Sequence, residues 1–483
     1  MSSTVRNLAP NMLWSNFSDL NAIPRASQKE EQVIRFIKSF GEGLGLETIE
    51  DETGNVLIKK PPTTGMESKA AVILQGHLDM VHQKNADTIF DFETQGIDMY
   101  VDGDWVKAKG TTLGADNGIG VAAMMSVLAD TDLVHPAIEA IFTIDEEVGM
   151  TGAMGLKKDF LSGSIMLNLD SEEDHTLTIG CAGGVDVVIQ GSYEQEELSD
   201  DYVFYQLDMK GLTGGHSGVD IHRGRCNAIK LMCRVLTEVN KEIEVRISSI
   251  DGGDRTSAIP RECSASIALK KDLESSLRDQ ISYWQSLLSE ENSLSDPDLS
   301  IVLNPIEERS TVLPKHAVEK LLASLNTCPY GIYRMTPGMN NLVQSSNNVG
   351  TIKVGKGGMR IACFTRSFIH SERDDLVNVI KNSFASLEVN ISEVNPFPGW
   401  KPTPNTKTVK SMKEIYEALF GNPPEIFAIN AGLECGILSE TYPEVEIVSF
   451  GPNVTGAHSP EEALQISSTQ KFWKYLTTVL AEL

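Results

Sequence analysis

Histidines and carboxylates stand where apolar runs of this chain stop. The run "AVILQGHLDMV" closes on His77, with Asp79 two positions on. "AIFTIDEEVGMTG" closes on Asp145, Glu146 and Glu147, and "SIMLNLDSEE" on Asp170. "VEIVSFGPNVTGAHSPEE" leaves its run and reaches His458, and Asp116 lies in "TTLGADNGIG" at a glycine-flanked helix start. Imidazoles grouped with carboxylates suit zinc or a similar divalent ion. With more than four candidate ligands, two ions sharing a carboxylate become possible, ~3.5–4 Å apart and activating one water. The bland alternative at each place is a solvated strand end, and an isolated His-x-Asp is usually that. Recurrence at several strand ends sets these residues apart.

Adjacent Glu146 and Glu147 have their own logic. Neighbours in extended chain point opposite ways, so both cannot easily hold one ion in the same manner. In a turn, one can ligate while the other faces the water, which gives hydrolysis its ligand and its general base. A solvated acidic turn is the alternative, and Asp145 is read as the solvent-facing member.

Such groups need rigid supports. "NVLIKK", "AVILQ", "AIEAIFTI", "SIMLNL" and "VEIVSF" read as short buried strands, separated by helical patterns such as "GIGVAAMMSVLAD". This alternation predicts an α/β domain around a largely parallel or mixed sheet flanked by helices. Open sheets of that kind bind ligands at the carboxyl ends of their strands, where His77 falls. "SQKEEQVIRFIKSFGEGLGL" predicts a helix with Ser27 as N-cap and a glycine-rich stop.

The middle of the chain changes character. Strand patterns ("YVFYQLDMKGL", "ECSASIALKK", "GTIKVGKGGMRIACFTRSF") and amphipathic helices ("AVEKLLASLNTC", "DDLVNVIKNSFASL") predict an inserted α+β domain over residues 183–396. "PFPGWKPTPNT" marks the return to the first domain, which spans 1–182 and 397–483. The glycine pairs of "IDGGDRTSAIP" and "VGKGGMR" read as hairpin turns, "SLLSEENSLSDPDLS" as an exposed helix end, and Asn227 with Ala228 as a helix start.

Composition narrows the class. At 483 residues, two or more domains are expected. The net charge of −26 disfavours nucleic acid and anionic membranes as partners. No apolar run approaches the ~18–20 residues of a membrane span, and "MSSTVRNLAPNMLWSNF" lacks the basic start and apolar stretch of a signal peptide. A cytoplasmic location is the expectation. Seven cysteines without a CxxC pair argue against a disulfide framework or a thiolate zinc site. "GADNG" lacks the lysine of a phosphate-binding loop.

Taken together and in order, "LQGHLDMV", "GTTLGADNGIG", "TIDEEVGMTGA", "LNLDSEE", "GGHSGVDIHRGRCNAI", "NAGLECGI" and "GPNVTGAHSPEE" resemble the aminoacyl-histidine (Xaa-His) dipeptidase family. That family is related to carnosinases and to di-zinc acylases and aminopeptidases, and the resemblance spans essentially the whole chain. It implies a two-metal catalytic domain, with Zn2+ expected and Mn2+ or Co2+ as alternatives, and an inserted lid domain that mediates homodimerisation. By motif position, His77, Asp116 and Asp170 would hold one ion, and bridging Asp116 with Glu147 and His458 the other. Glu146 falls at the general-base position. Asp79 falls at that of the acid orienting His77, which fixes its tautomer and raises its basicity.

The implied reaction is hydrolysis of dipeptides with a free amino terminus, Xaa-His among them. His216, in "KGLTGGHSGVDIHRG", would be an oxyanion donor, and in relatives it reaches a neighbouring subunit's site. His222 shares that loop without an assigned role. His82, His135, His175, His316 and His370 read as surface or satisfied structural residues. Arg366 in "CFTRSF" suits the substrate's terminal carboxylate, although a surface ion pair fits equally. Glu434 in "NAGLECGI" would contact the free amine or only hold its loop, and Asn430 stands where many members have histidine. An N-acyl-amino-acid deacylase, or an exopeptidase for longer peptides, on the same di-metal scaffold is the close rival. A non-catalytic binding protein is disfavoured because every ligand position and Glu146 is filled.

Overall fold

The structure is a computed structural model that describes residues 3–307, 310–339 and 341–483. By its internal contacts the chain divides into two compact units. The first comprises residues 1–180, 402–428 and 433–483, and the second 181–401 and 429–432.

The first unit is built on strands that read as unbroken apolar runs because both their faces are covered. Val72–His77 and Ile138–Thr143 are buried at every position. They run parallel to each other, and Val72–His77 is also parallel to Ile165–Asn168, which in turn is parallel to Glu446–Ser449. Val56–Lys60 and Glu47–Glu50 extend one side antiparallel, which makes the eight-stranded sheet mixed. The helix Ala115–Ala129 is buried along nearly its whole length, in keeping with its all-round apolar sequence. A small four-stranded sheet pairs Ala463–Gln465 with Val454–Thr455 and with Trp105–Ala108.

One expectation is corrected here. The helix expected in "SQKEEQVIRFIKSFGEGLGL" is Glu31–Gly43, preceded by Glu30 rather than Ser27. Ser27 Oγ instead donates to Asp79 Oδ2 at 2.8 Å, a long-range contact that no local capping pattern announces.

The second unit carries a nine-stranded sheet whose paired strands are all antiparallel. Val185, Val187 and Ile189, or Tyr205, Leu207 and Met209, alternate along their strands into one core. Helices Ala228–Glu242, Glu274–Glu291, Lys315–Thr327 and His370–Ser383 pack their apolar stripes into that core. Asn227 caps the first, accepting from the amides of Ile229 and Lys230. The Gly355–Gly358 turn joins a hairpin as its glycines predict. "IDGGDRTSAIP" also joins a hairpin, between Arg246–Gly252 and Cys263–Lys270, but as a long connection rather than a tight turn. Its Ala258–Ile259 segment pairs with Gly215–His216, placing His216 opposite Ala258. "SLLSEENSLSDPDLS" is only partly exposed. Asp296 is buried and accepts from the amides of Thr213 and Cys226, clamping both stems of the His216 loop. Among the described residues no helix is long and apolar enough to cross a membrane.

Candidate metal centre

Five segments of the first unit deliver their polar residues to one place. His77 terminates its strand with Nε2 3.0 Å from Asp116 Oδ1, 3.3 Å from Asp170 Oδ1 and 4.0 Å from Glu146 Oε2. His458 Nε2 lies 3.1 Å from Asp116 Oδ2 and 3.0 Å from Glu147 Oε2. The two oxygens of Asp116 therefore face different histidines, and each histidine has a second acid of its own. Three triads have ligand atoms within 4.8 Å of one another: His77–Asp116–Asp170, Asp116–Glu147–His458 and His77–Glu146–Glu147.

Close approach of backbones makes this possible. A Cβ on Gly76 would meet Asn117 Oδ1 at 2.3 Å, so glycine lets the strand end approach the Asp116 loop. Gly114, at φ 68°, turns that loop at the helix start.

Asp79 orients more than one group. Its Oδ1 is 3.3 Å from His77 Nδ1 and accepts from the Glu146 amide at 3.0 Å, while Oδ2 accepts from the Glu147 amide at 3.3 Å. One carboxylate thus sets the His77 ring and the backbone of the adjacent acids. Asp145, expected to face solvent, is buried at φ 55° and accepts from Thr151 Oγ1 at 2.7 Å. It shapes the turn that lets Glu146 and Glu147 diverge.

Burial pushes Glu146 well above the usual carboxylate range, with Asp170, Glu147 and Glu434 reinforcing the shift against His77. Burial likewise lifts Asp170 to about 6. Burial also opposes charge on Asp116, yet bonds from His458 and His77 outweigh it and hold this carboxyl low. Bonds to Asp116 and Glu147 raise His458 to about 11. Among the described residues no lysine or arginine lies within 4.0 Å of the acids in these triads. Glu147 Oε1 is buried without a hydrogen-bond partner. A concentration of acidic oxygens and imidazoles, lacking thiolates and neighbouring cations, fits divalent metal ions.

Arg25 was not singled out from sequence. It is 1% exposed and donates to the carbonyls of Leu78, Asp79 and Gly114 and to Asn21 Oδ1. Burial lowers it to about 10, against the pull of Glu462 and Asp79. Glu462 was missed as well, and nothing in "SPEE" distinguishes it from a surface acid. Glu434 is buried. Its Oε2 accepts from Gln75 Nε2 and Thr143 Oγ1, each at 2.7 Å, while Oε1 is left without a partner. Burial raises its carboxyl to about 7.

A second polar cluster belongs to the second unit. His216 Nδ1 accepts from the amides of Gly218 and Val219 at 3.2 and 3.0 Å. With Nδ1 occupied as acceptor, the neutral ring carries its proton on Nε2. Burial and then the adjacent Arg366 lower His216 to about 4, so it is uncharged at neutral pH. Arg366 Nη2 stands 3.3 Å from His216 Nε2, which sets two donors side by side. Arg366 is not the surface pair that its sequence also allowed. It is 4% exposed, stacks 4.3 Å over the Phe364 ring, and has no carboxylate within 4.0 Å among the described residues. Asn430 Nδ2 donates to Gly218 O at 3.2 Å and lies 3.3 Å from Ser346 Oγ, while its buried Oδ1 is unpaired. His222 is exposed. Of the remaining histidines, His135 is buried with its Nε2 unpartnered.

Residues 207–295 match the model of the M20 peptidase dimerisation domain. The chain is 38% identical over 481 residues to the cytosol non-specific dipeptidase of Escherichia coli (strain K12), covering 100% of this chain and 99% of that one. Its structure matches the aminoacylhistidine dipeptidase of Vibrio alginolyticus at a TM-score of 0.93 and 39% identity, with 99% and 97% of the two chains covered. Aminopeptidase PepT of Bacillus cereus shares the fold at a TM-score of 0.57 and 15% identity, covering 98% of this chain and 99% of that one.

Proposed function

The chain belongs to the cytosol non-specific dipeptidase family of M20-type metallopeptidases, and on that premise we propose that it hydrolyses dipeptides with a free amino terminus, Xaa-His among them. The observation that carries this reading is the two-faced placement of Asp116, one oxygen toward His77 and the other toward His458. It suits a carboxylate shared by two ions. His77, Asp116 and Asp170 would hold one, and Asp116, Glu147 and His458 the other, with Zn2+ favoured by the donor set and Mn2+ or Co2+ also compatible. Bound there, such ions supply Lewis acidity, polarising a carbonyl and easing proton loss from water.

The chain's own residues do the rest. Glu146, with Oε2 4.0 Å from His77 Nε2, takes the proton of the attacking water and passes it to the leaving amine. The Nε2–H of His216 would stabilise negative charge on the carbonyl oxygen. Arg366, a buried guanidinium without a carboxylate partner, takes the dipeptide's terminal carboxylate. The unpartnered Oε1 of Glu434 accepts from its free amine. That last assignment favours dipeptides over N-acylated amino acids, which have no charged amine to offer.

We further propose a homodimer in which His216 completes the site of the other copy. It is supported by the matched dimerisation domain. A cytoplasmic location is supported by the relative named as a cytosol enzyme.

The test is hydrolysis of β-Ala-His, a panel of Xaa-His and other dipeptides, and a panel of N-acetylated amino acids. Cleavage of the free dipeptides alone supports the proposal. Cleavage of the acetylated compounds alone would replace it with the deacylase reading.

A further inference from the structure

We infer that Glu462 is a positioning residue that locks the Asp116 loop to the His458 loop, so that the ion site of Asp116, Glu147 and His458 depends on it more than the site at His77 and Asp170. This rests on the two-ion reading above.

Glu462 is 2% exposed. Its Oε2 accepts from the amides of Leu113 and Gly114 at 2.7 and 2.9 Å, and its Oε1 from those of Ala115 and Asp116 at 2.7 and 3.2 Å. Four successive amides converge on one carboxylate because Gly114, at φ 68°, curls the backbone around it. From elsewhere in the fold, Arg25 grips the Gly114 carbonyl along with those of Leu78 and Asp79. The loop is held through its amides and through a carbonyl, by two buried side chains of opposite charge. Asp116 is thereby fixed with its oxygens divided between the two histidines.

The same carboxylate governs His458. That residue lies in the loop between Val454–Thr455 and Ala463–Gln465, which are paired strands. Glu462 stands at the end of the loop, its amide bonded to Ser459 O at 3.0 Å. The His458 side chain is 54% exposed and its backbone has φ 64°, a strained value for a residue with a Cβ. Among the described residues its imidazole meets Asp116 and Glu147 and nothing else polar. His77 differs. It ends a fully buried strand and has Asp79 behind its ring. Loosening Glu462 therefore frees both His458 and the Asp116 loop that faces it, while His77 keeps its strand and Asp79 as supports of its own.

The experiment compares the parent with Glu462→Gln and Glu462→Asp. Glutamine is isosteric, but it turns an NH2 group toward amides that need an acceptor. Aspartate keeps the charge but falls short of the amides. Each protein, stripped of metal and checked by circular dichroism for its fold, is titrated with Co2+. Bound metal per chain is read by equilibrium dialysis, and ligand geometry by visible absorption. The parent is expected to take up about two ions. Glu462→Gln is expected to bind one ion as the parent does and the other roughly 10–100-fold more weakly, with a changed spectrum only for the second. Glu462→Asp is expected to fall between them, and it carries the comparison if the glutamine variant does not fold. Equal weakening of both ions, or uptake of both as in the parent, would overturn the inference. A parent that binds fewer than two ions would overturn the two-ion reading, and this inference with it.

Discussion

Arg366 shows how much one buried side chain can imply. Burial takes its guanidinium down to about 10, with Asp186 opposing, and its one aromatic platform, Phe364, fixes the plane of the fork. A buried cation without an ion-pair partner is costly unless a ligand supplies the charge. Arg366→Ala is expected to reduce kcat/KM for dipeptides by roughly 10–100-fold, the worth of a charge-assisted bond. Arg366→Lys should restore little of it, because a point charge does not replace a planar fork. Dipeptide amides, which lack the carboxylate, should be turned over equally by parent and variant. A variant equally impaired on both compounds would assign Arg366 to the structure of its loop instead.

Elements decide which residues could be foreseen. His77, Glu146, Glu147 and Asp170 were legible because each ends or directly follows a buried apolar run, and strand direction then carries them to one edge of the sheet. Asp116 was legible from the glycines around it. Arg25, Glu462 and Asp296 were not, because their partners are backbone groups remote in sequence. Leu113, for example, lies 349 residues from Glu462. Ser27 misled for the same reason, since its contact with Asp79 replaced the helix cap, and Asp145 because its turn folds back onto Thr151, six residues on, instead of facing solvent. Arg366 and Glu434 carried two readings each in the sequence; burial removes the surface ion pair for Arg366, while Glu434, bonded to Gln75 and Thr143, fits both of its readings.

His135 shows the same effect on stability. It leads into the strand Ile138–Thr143, exchanges hydrogen bonds with Thr63 and pairs Nδ1 with Pro136 O at 2.7 Å. Burial depresses its pKa below 6.5, with Lys60 adding to the effect against Pro136 O and Asp130. The unfolded chain, titrating near ~6.5, then binds more protons than the folded one just below that pH. Stability contributed here is present above ~6.5 and is lost as pH falls through the window beneath it. Urea denaturation midpoints should decline between pH 7 and 5, and more gently in His135→Gln. Parallel declines in the two proteins would assign the acid sensitivity to other groups.

At the scale of the whole molecule, the proposal places Glu146 and His216 of one working site on different copies. Glu146→Gln and His216→Asn homodimers should both be nearly inactive. Co-expressed, they should form mixed dimers with one intact combination of Glu146 and His216. Activity is then expected to return in the mixed fraction. Mixed dimers as inactive as the parent variants would show that each chain uses its own His216.

The central claim is that two ions and Glu146 together activate water for peptide hydrolysis. The most direct measurement is kcat for β-Ala-His with bound metal quantified in the same preparation, for the parent and for Glu146→Gln. A fall of about 10²–10⁴-fold in kcat, with the parent's complement of about two ions per chain retained, is the predicted result. Near-parent turnover by a fully loaded Glu146→Gln protein would contradict it.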